Sequence, residues 1–481
     1  MTLSGGSPHH PLDCQLVREW PGVKTTNNSN NQHPVYGLTS LTFLVIASMV
    51  GAGVFTTSGF TLDAVGSPFR VMLCWCLGGV IATCGAIAYG RLAGLMPESG
   101  GEYLYLSRHV HPAAGFLGGW ISLTAGFSGA IATAAVAFER YALPDTVRPD
   151  FLPADTLAII LIMICGAAHG LHATAGKMLQ NAVVVIKLLT LAAFSMTVLR
   201  MLSSHEWHLT PSVPATSNLW DATNAIATSL VWISLSFAGF NAAIYVASES
   251  AEAKRNVPKA LLLGTLLVTG LYLFLNAVFV TAVPSEQLIG KEPVAAVAAQ
   301  AIGGQYLELL MRIAVSLGLL SSVLGMMMAG PRVYSKMADD GVFPGVFSSS
   351  NGGISRSIAL QTVIAVCLIL AQRILMATGL LSSSLLGLLF YLGTTLSISS
   401  ALCVATLFLP SVRRAPGGKP SVIIDAAAAI YVIATLLAVV LMAFSPDSSG
   451  NSQWVRHLGG ATVTIVTGIA AWWWFRPPQS S

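Results

Sequence analysis

The feature that most constrains this chain is a series of apolar segments separated by short polar loops. A bilayer core about 30 Å thick requires roughly 20 residues of helix per crossing, and the segments are of that order. Only 9% of the 481 residues are charged, against about 25% in soluble domains. The pattern predicts an all-α polytopic membrane protein with twelve transmembrane helices. The segments lie at about residues 37–60, 68–90, 112–138, 154–170, 180–200, 223–247, 258–282, 305–330, 357–373, 379–409, 422–444 and 457–475.

The Lys and Arg residues are distributed unequally between the loops. With twelve crossings both termini lie on one side, which carries fifteen of the 24 Lys and Arg residues, whereas the other side carries eight and Lys187 falls inside the fifth helix. Because Lys and Arg are enriched in cytoplasmic loops, we expect both termini in the cytoplasm and the protein in the cell membrane, either plasma or inner membrane. Residues 1–34 are polar, which predicts a disordered cytoplasmic tail. Residues 477–481 are expected to form a short cytoplasmic tail at the other end.

Composition and motifs exclude several classes of function. The net charge of +4 is too small and too dispersed to predict binding to nucleic acid. The sequence contains no P-loop, HExxH, GxSxG or dinucleotide fingerprint, so we expect no enzymatic activity and no cofactor. His169 and His172 are three residues apart but have no third ligand nearby, which predicts no metal site. The seven cysteines are expected to be packing residues.

Glycines interrupt the first and the sixth apolar segments near mid-membrane. They are Gly51 and Gly53 in the first, and Gly239 within the stretch 236–241 of the sixth. Each glycine weakens a helix by about 1 kcal/mol relative to alanine. One interpretation is close helix packing through small residues. The other is two unwound stretches whose free backbone groups form a binding site.

The separation of the two interruptions predicts how the domain is organised. Gly53 and Gly239 are five helices apart, in the first and the sixth segments, as expected for two inverted repeats that meet at a shared site. We therefore predict one transporter domain over residues 35–476. It would contain a first repeat at about 37–200, a second at about 223–409 and two extra helices at about 422–475.

Four motifs in order along the chain resemble those of the amino acid, polyamine and organocation (APC) superfamily. The departures are Ala52, Arg91 and Pro331, where that family usually has a serine, an acidic residue and a small residue. The resemblance implies a secondary transporter that works by alternating access. The motifs are GAGVF at 51–55, AYGRL at 88–92 with MPESGGEY at 96–103, FAGFN at 237–241 with ESAEAKRNVP at 249–258, and GPRVYSKMADDG at 330–341.

The resemblance also implies which backbone groups bind a substrate. The amides of Gly51, Ala52 and Gly53 would bind a carboxylate. Backbone carbonyls would bind an α-ammonium, namely those of Met49, Leu235, Ser236 and Ala238. Phe237 and Leu235 would form a hydrophobic gate or side-chain pocket beside Gly239. The sequence places no acidic residue beside either interruption, which favours an amino acid with a neutral or apolar side chain.

Lys187 is the one charge inside the fifth apolar segment. It could extend its ammonium to the membrane interface, or it could load and release protons because desolvation disfavours the charged form. The resemblance favours the second interpretation, since proton-coupled members have a lysine where sodium-coupled relatives hold a sodium ion. We therefore expect proton-coupled uptake, with the amino acid, the proton and the lipid bilayer as partners. The alternatives are an amino-acid exchanger without proton coupling and a transporter-like amino-acid sensor; oligomeric state stays open.

Acidic residues of the loops are expected to form ion pairs. Glu98, Glu102, Glu249 and Glu252 would pair with Arg91, Arg108, Lys254 or Arg255 on the side of the termini. Glu308 and Arg312, four residues apart on a helix, would pair locally.

Overall fold

The computed structural model describes residues 36–51, 53–144, 147–171, 173–209, 218–291, 293–379, 384–415, 417–444 and 454–475. Both predicted terminal tails and Ala52 lie outside these residues. Helices make up 83% of the structure, which confirms the all-α prediction.

The helices follow one another with short connections. Their bounds are α1 Leu38–Met49, α2 Gly53–Val65, α3 Pro68–Leu95, α4 Gly101–His109, α5 Pro112–Ile121, α6 Ala130–Ala142, α7 Thr156–Leu171, α8 Ala173–Met201, α9 Leu219–Ser236, α10 Ala253–Thr281, α11 Val294–Asp339, α12 Gly353–Ala377, α13 Ser384–Ala405, α14 Pro410–Arg413, α15 Val422–Ala443 and α16 Trp454–Phe475. A π-helical stretch, Ser122–Gly129, joins α5 to α6, and a 3₁₀ stretch, Ala242–Glu249, follows the end of α9.

Each predicted segment corresponds to one helix or to a broken pair. Within the described residues, nine helices are long and apolar enough to cross a membrane, and the pair α1 and α2, bent by 44°, brings the number to ten. The other two segments are α7, which has 16 residues, and α9, which ends at an interruption. We number these spans one to twelve; α1 with α2 is the first, α5 to α6 the third, α9 with its 3₁₀ stretch the sixth, and α16 the twelfth.

The outer surface of the bundle is apolar. Leu189, Ile164, Val466 and Trp474 are exposed by 65%, 61%, 59% and 83%. Large apolar patches of this kind are rare on soluble monomers. The protein is therefore a multi-pass membrane protein whose surface contacts lipid.

Corresponding spans of the two predicted repeats pack against each other. The second span contacts the seventh, the third contacts the eighth, the fourth contacts the ninth, and α2 of the first contacts α9 of the sixth. Such pairing is expected of two halves related by a pseudo-two-fold axis. The arrangement places the interruptions of the first and sixth spans side by side at the centre of the bundle.

The eighth span begins at a break inside α11. Gly303 and Gly304 leave the helical region, with φ of −136° and +68°. The preceding turns, Val294–Ile302, lie beside α2, where the amide of Gly290 donates to the carbonyl of Gly59 at 3.1 Å. Hydropathy predicted the start of this span at residue 305, which agrees with the position of the break.

Both ends of the described chain lie on one face of the bundle, which we call the terminal face. The amide of Tyr36 donates to the carbonyl of Glu249 at 3.3 Å, and Glu249 pairs with Arg332 at 3.3 Å. Farther along the chain, Phe343 packs on Phe475 with ring centroids 5.8 Å apart.

The predicted ion pairs have mixed outcomes. Glu252 pairs with Arg255 at 3.6 Å and Glu308 with Arg312 at 2.7 Å, as predicted. The prediction for Glu102 is wrong, because its carboxylate is buried and accepts hydrogen bonds from neutral side chains. A hydrogen-bonded site inside the bundle satisfies this carboxylate without an exposed cation.

A buried carboxylate fastens the third span to the fourth on the face opposite the terminal face. Glu139 is 1% exposed and accepts from the amides of Asp155 and Ala158 at 2.7 and 2.9 Å. Arg148 completes the site with an ion pair at 2.9 Å. The carboxylate thus satisfies amides at the start of α7 that have no helical acceptor.

We predict that Glu139→Ala lowers stability by about 3–5 kcal/mol, because it removes the buried carboxylate that pairs with Arg148 and accepts from two amides. Glu308→Ala, which breaks a half-buried pair within one helix, should cost no more than about 1 kcal/mol. The measurement is thermal unfolding of both purified variants in detergent. Equal losses would contradict a structural role for Glu139.

Candidate functional site

The first span is interrupted between Met49 and Gly53. Val50 leaves the helix with φ −72° and ψ 86°, and α2 starts at Gly53. The last carbonyls of α1 and the first amides of α2 have no partner within their own helices. The broken span therefore presents acceptors and donors side by side inside the membrane.

The sixth span is interrupted just after Ser236. Gly239 has φ +97°, a left-handed conformation that favours glycine. A Cβ atom there would lie 2.8 Å from the carbonyl oxygen of Ser48. Glycine is thus required both by the backbone conformation and by the approach of the first span.

The two interruptions touch each other. A Cβ on Gly53 would lie 2.7 Å from the Cα atom of Ser236, so the outer half of the first span packs directly on the end of α9. Gly51 lies against the eighth span, where a Cβ would be 3.1 Å from Ser322 Oγ. The structure therefore brings together the two sequence-predicted stretches, and the packing and binding interpretations of these glycines are compatible.

Tyr272, in the seventh span, bridges the two interruptions. Its hydroxyl lies 2.6 Å from the carbonyl oxygen of Met49 and 2.8 Å from that of Ser236. Sequence reasoning missed this residue, because one tyrosine in an apolar helix carries no distinguishing signal. One hydroxyl proton serves one carbonyl at a time, so the other carbonyl remains available to a further donor.

A buried polar chain holds Tyr272 in place. Its carbonyl accepts from Asn276 Nδ2 at 2.9 Å, and Asn276 Oδ1 accepts from the hydroxyl of Ser58. Ser58 Oγ in turn accepts from Trp75 Nε1 at 3.0 Å. The outer half of the first span is thereby tied to the second and seventh spans.

Lys187 lies behind the first interruption and is fully buried. Its Nζ donates to the carbonyls of Ala47 and Val50, both at 3.1 Å, and to Ser321 Oγ at 2.8 Å. The ammonium stays inside the bundle and does not reach the membrane interface. Its three recorded partners are neutral oxygens from the first and eighth spans.

A cavity of about 260 Å³ lies beside the interruptions. Its predominantly apolar wall continues to Glu102 and Arg332 near the terminal face. The predicted residues Ser236 and Lys187 lie outside its lining. The predicted residues that line it are Met49, Gly51, Gly53, Leu235, Phe237, Ala238 and Gly239.

Phe237 and Leu235 both line this cavity. Phe237 packs on Trp75 and Tyr272, with ring centroids 6.1 and 5.2 Å apart. Leu235 packs on an apolar cluster of the third and tenth spans that includes Ile121. Both side chains thus border the cavity, and a gate or side-chain pocket formed by them stays a prediction.

Aromatic rings join the outer halves of three spans. Trp232 of the sixth span lies 6.0 Å from Phe60 of the first and 5.8 Å from Phe390 of the tenth, measured between ring centroids. The cavity lining, by contrast, includes charged residues of the terminal face.

Glu102 places a carboxylate at the end of the cavity near the sixth-span interruption. Its Oε1 accepts from Asn241 Nδ2 at 2.7 Å and from the Tyr89 hydroxyl at 3.0 Å, and its Oε2 accepts from the Tyr245 hydroxyl at 2.9 Å. The sequence predicted no acidic residue near either interruption. This prediction is wrong, because the fold brings Glu102 to the second interruption. Glu102 is distant from Asn241 along the chain, and only the fold brings them together.

Comparison with known proteins relates this arrangement to a transport family. The model of the amino acid permease family matches residues 36–467. Similar proteins include Asc-type amino acid transporter 1 from Homo sapiens, 26% identical over 65% of this chain and 60% of that protein. Large neutral amino acids transporter small subunit 2 from Rattus norvegicus is 26% identical over 74% of this chain and 66% of that protein.

A third relative is b(0,+)-type amino acid transporter 1 from Homo sapiens, 26% identical over 54% of this chain and 53% of that protein. The chain thus spans between about half and two thirds of the length of these curated relatives.

We predict that Tyr272→Phe weakens amino-acid binding about tenfold, because the hydroxyl that joins the two interruptions through the carbonyls of Met49 and Ser236 is lost and the site is no longer preorganised. The ring contact with Trp75, at 5.6 Å between centroids, should keep the fold intact. Tyr334→Phe is the matched control, since it removes a buried hydroxyl that donates to Gln361 Oε1 at 2.9 Å, outside the cavity lining. Binding is measured by thermal shift across the common amino acids. An equal effect of both substitutions would refute a specific role for Tyr272.

Proposed function

The chain belongs to the amino acid permease family, and on that basis we propose that it carries a neutral amino acid across the cell membrane by alternating access. Members of this family are membrane transporters and not enzymes. The observation that supports the proposal most directly is the contact between two interrupted spans beside a cavity.

Backbone groups at the interruptions match the two charges of an amino acid. The amides of Gly51, Ala52 and Gly53 would receive the carboxylate at the start of α2, where the helix dipole favours an anion. The carbonyls of Met49, Leu235, Ser236 and Ala238 would receive the α-ammonium. Partial charges of this kind avoid the cost of burying an ionised side chain in the membrane.

The neutral class of substrate is proposed from the cavity wall. Val231, Leu389 and Leu392 are among the lining residues, and an apolar wall favours an apolar side chain. Glu102 already accepts three hydrogen bonds, which stabilise it without a cationic ligand. One relative is named for the transport of large neutral amino acids, which supports the same class.

We propose that a proton gradient drives the uptake of the amino acid by symport. Lys187 is an ionisable group buried in the membrane, a type of residue that commonly marks ion pathways. Its neutral partners provide no carboxylate to hold the proton permanently. Loss of the proton would remove one donor from the first interruption and so change how α1 is held.

Amino-acid exchange without proton coupling is the second candidate. The same three hydrogen bonds fasten the first, fifth and eighth spans together. An ammonium whose three donors are all satisfied can serve as a permanent clamp. In that case Lys187 would be needed for the fold and would not titrate during the cycle.

Uptake into proteoliposomes distinguishes the two candidates. We expect an inward proton gradient to drive uptake of a neutral amino acid into empty vesicles. Uptake that occurs only after preloading with an amino acid would contradict symport and support exchange. Measurable binding without flux in either arrangement would contradict transport and support a sensor.

We predict that Lys187→Met abolishes the pH dependence of uptake and retains binding, since methionine replaces the buried stem without a titratable group. Lys259→Met, which changes an exposed lysine on the seventh span, is the matched control and should keep the wild-type pH profile. Uptake is measured at a series of external pH values. A normal pH profile in Lys187→Met would exclude this lysine from coupling.

Orientation and assembly are proposals as well. The excess of Lys and Arg on the side of the termini supports a cytoplasmic terminal face. One relative is named a small subunit, and an accessory subunit for this chain would be found by mass measurement of the native complex.

A further inference from the structure

Gly126 lines the cavity from the π-helical stretch Ser122–Gly129 of the third span. A Cβ atom at Gly126 would lie 3.6 Å from Leu396 Cδ2, 3.8 Å from the Ile121 carbonyl oxygen and 3.9 Å from Ser122 Cβ. These are ordinary van der Waals separations. Its backbone lies in a continuous helical turn, so no left-handed conformation requires glycine here.

Neighbouring glycines of the same span have a different reason to be glycine. A Cβ on Gly119 would collide with the side chain of Met337, and one on Gly129 would approach Leu392 too closely. Those two glycines allow the spans to pack. Gly126 weakens its helix relative to alanine. Because an added Cβ would meet its neighbours only at ordinary contact distances, close packing does not require glycine at this position of the cavity lining.

The cavity wall around Gly126 includes a cluster of apolar side chains. Ile121, Leu235, Leu392 and Leu396 line the cavity there and pack together. Leu235 is also the residue next to the interruption after Ser236. This wall therefore offers an apolar surface beside the interruptions to the side chain of a bound amino acid.

We propose that Gly126 determines the largest side chain that the cavity accepts, and that the substrates are neutral amino acids with large apolar side chains, such as leucine, methionine and phenylalanine. The inference rests on the proposed function and deepens it. A methyl group at position 126 would occupy the space that the distal atoms of such a side chain need. Small substrates would still fit.

The test is proteoliposome transport of alanine, valine, leucine and phenylalanine by wild type, Gly126→Ala and Gly126→Val. We expect kcat/KM for leucine and phenylalanine to fall at least about tenfold in Gly126→Ala, since one methylene in an apolar pocket changes discrimination by that order. The ratio of kcat/KM for leucine to that for alanine should therefore fall by a similar factor. Gly126→Val should also exclude valine.

Gly270→Ala is the matched control, because Gly270 lies in the middle of α10, outside the cavity lining, with nothing within 4 Å of an added Cβ. This variant should keep the wild-type order of kcat/KM among the four amino acids. The double variant Gly126→Ala with Leu396→Ala should regain the large substrates, since truncation of Leu396 restores the lost space. If Gly126→Ala does not fold, Leu396→Ala alone should raise the preference for phenylalanine over alanine.

An unchanged order of substrates in the Gly126 and Leu396 variants would overturn the inference while the proposed function stands. If wild type moves none of the four amino acids, the proposed function fails instead. Thermal shifts with the same four amino acids then test Gly126 as a determinant of binding, and equal shifts in wild type and Gly126→Ala would overturn it.

Discussion

Unpaired backbone groups inside the membrane are the constraint on which the rest of this structure depends. A helix that stops at mid-membrane leaves amides and carbonyls without partners, and lipid offers none. Lys187 donates to Ala47 and Val50 at the first interruption, and Tyr272 reaches Met49 and Ser236 across both. The fifth, seventh and eighth spans are thereby held around the interruptions, and the cavity lies beside them.

Glycines serve three different purposes in this site. Gly239 is required by its left-handed conformation and by the carbonyl of Ser48. Gly53 is required by the contact with Ser236. Gly126 is required by neither and leaves space in the cavity wall. One residue type can thus permit a break, permit a contact or enlarge a cavity, and only the surroundings of each glycine distinguish these purposes.

The all-α membrane fold and the positions of the spans could be predicted because the bilayer imposes its length and polarity on every crossing segment. The interruptions could be located for a similar reason, since glycines and polar residues at mid-membrane conflict with a continuous helix. Local pairs on one helix, such as Glu308 with Arg312, follow from a spacing of four residues. Tyr272 and Glu102 could not be assigned, because each acts on residues far away in the chain.

Sequence alone thus determined the class of protein, the number of apolar segments and the two stretches where the backbone is interrupted, because hydropathy and glycine placement are local properties. Tertiary structure decided which groups meet those stretches. It placed the ammonium of Lys187 on carbonyls of the first span, and it brought the carboxylate of Glu102 to Asn241. The physical reason is that these contacts depend on how helices distant in sequence pack together. No local pattern encodes that packing.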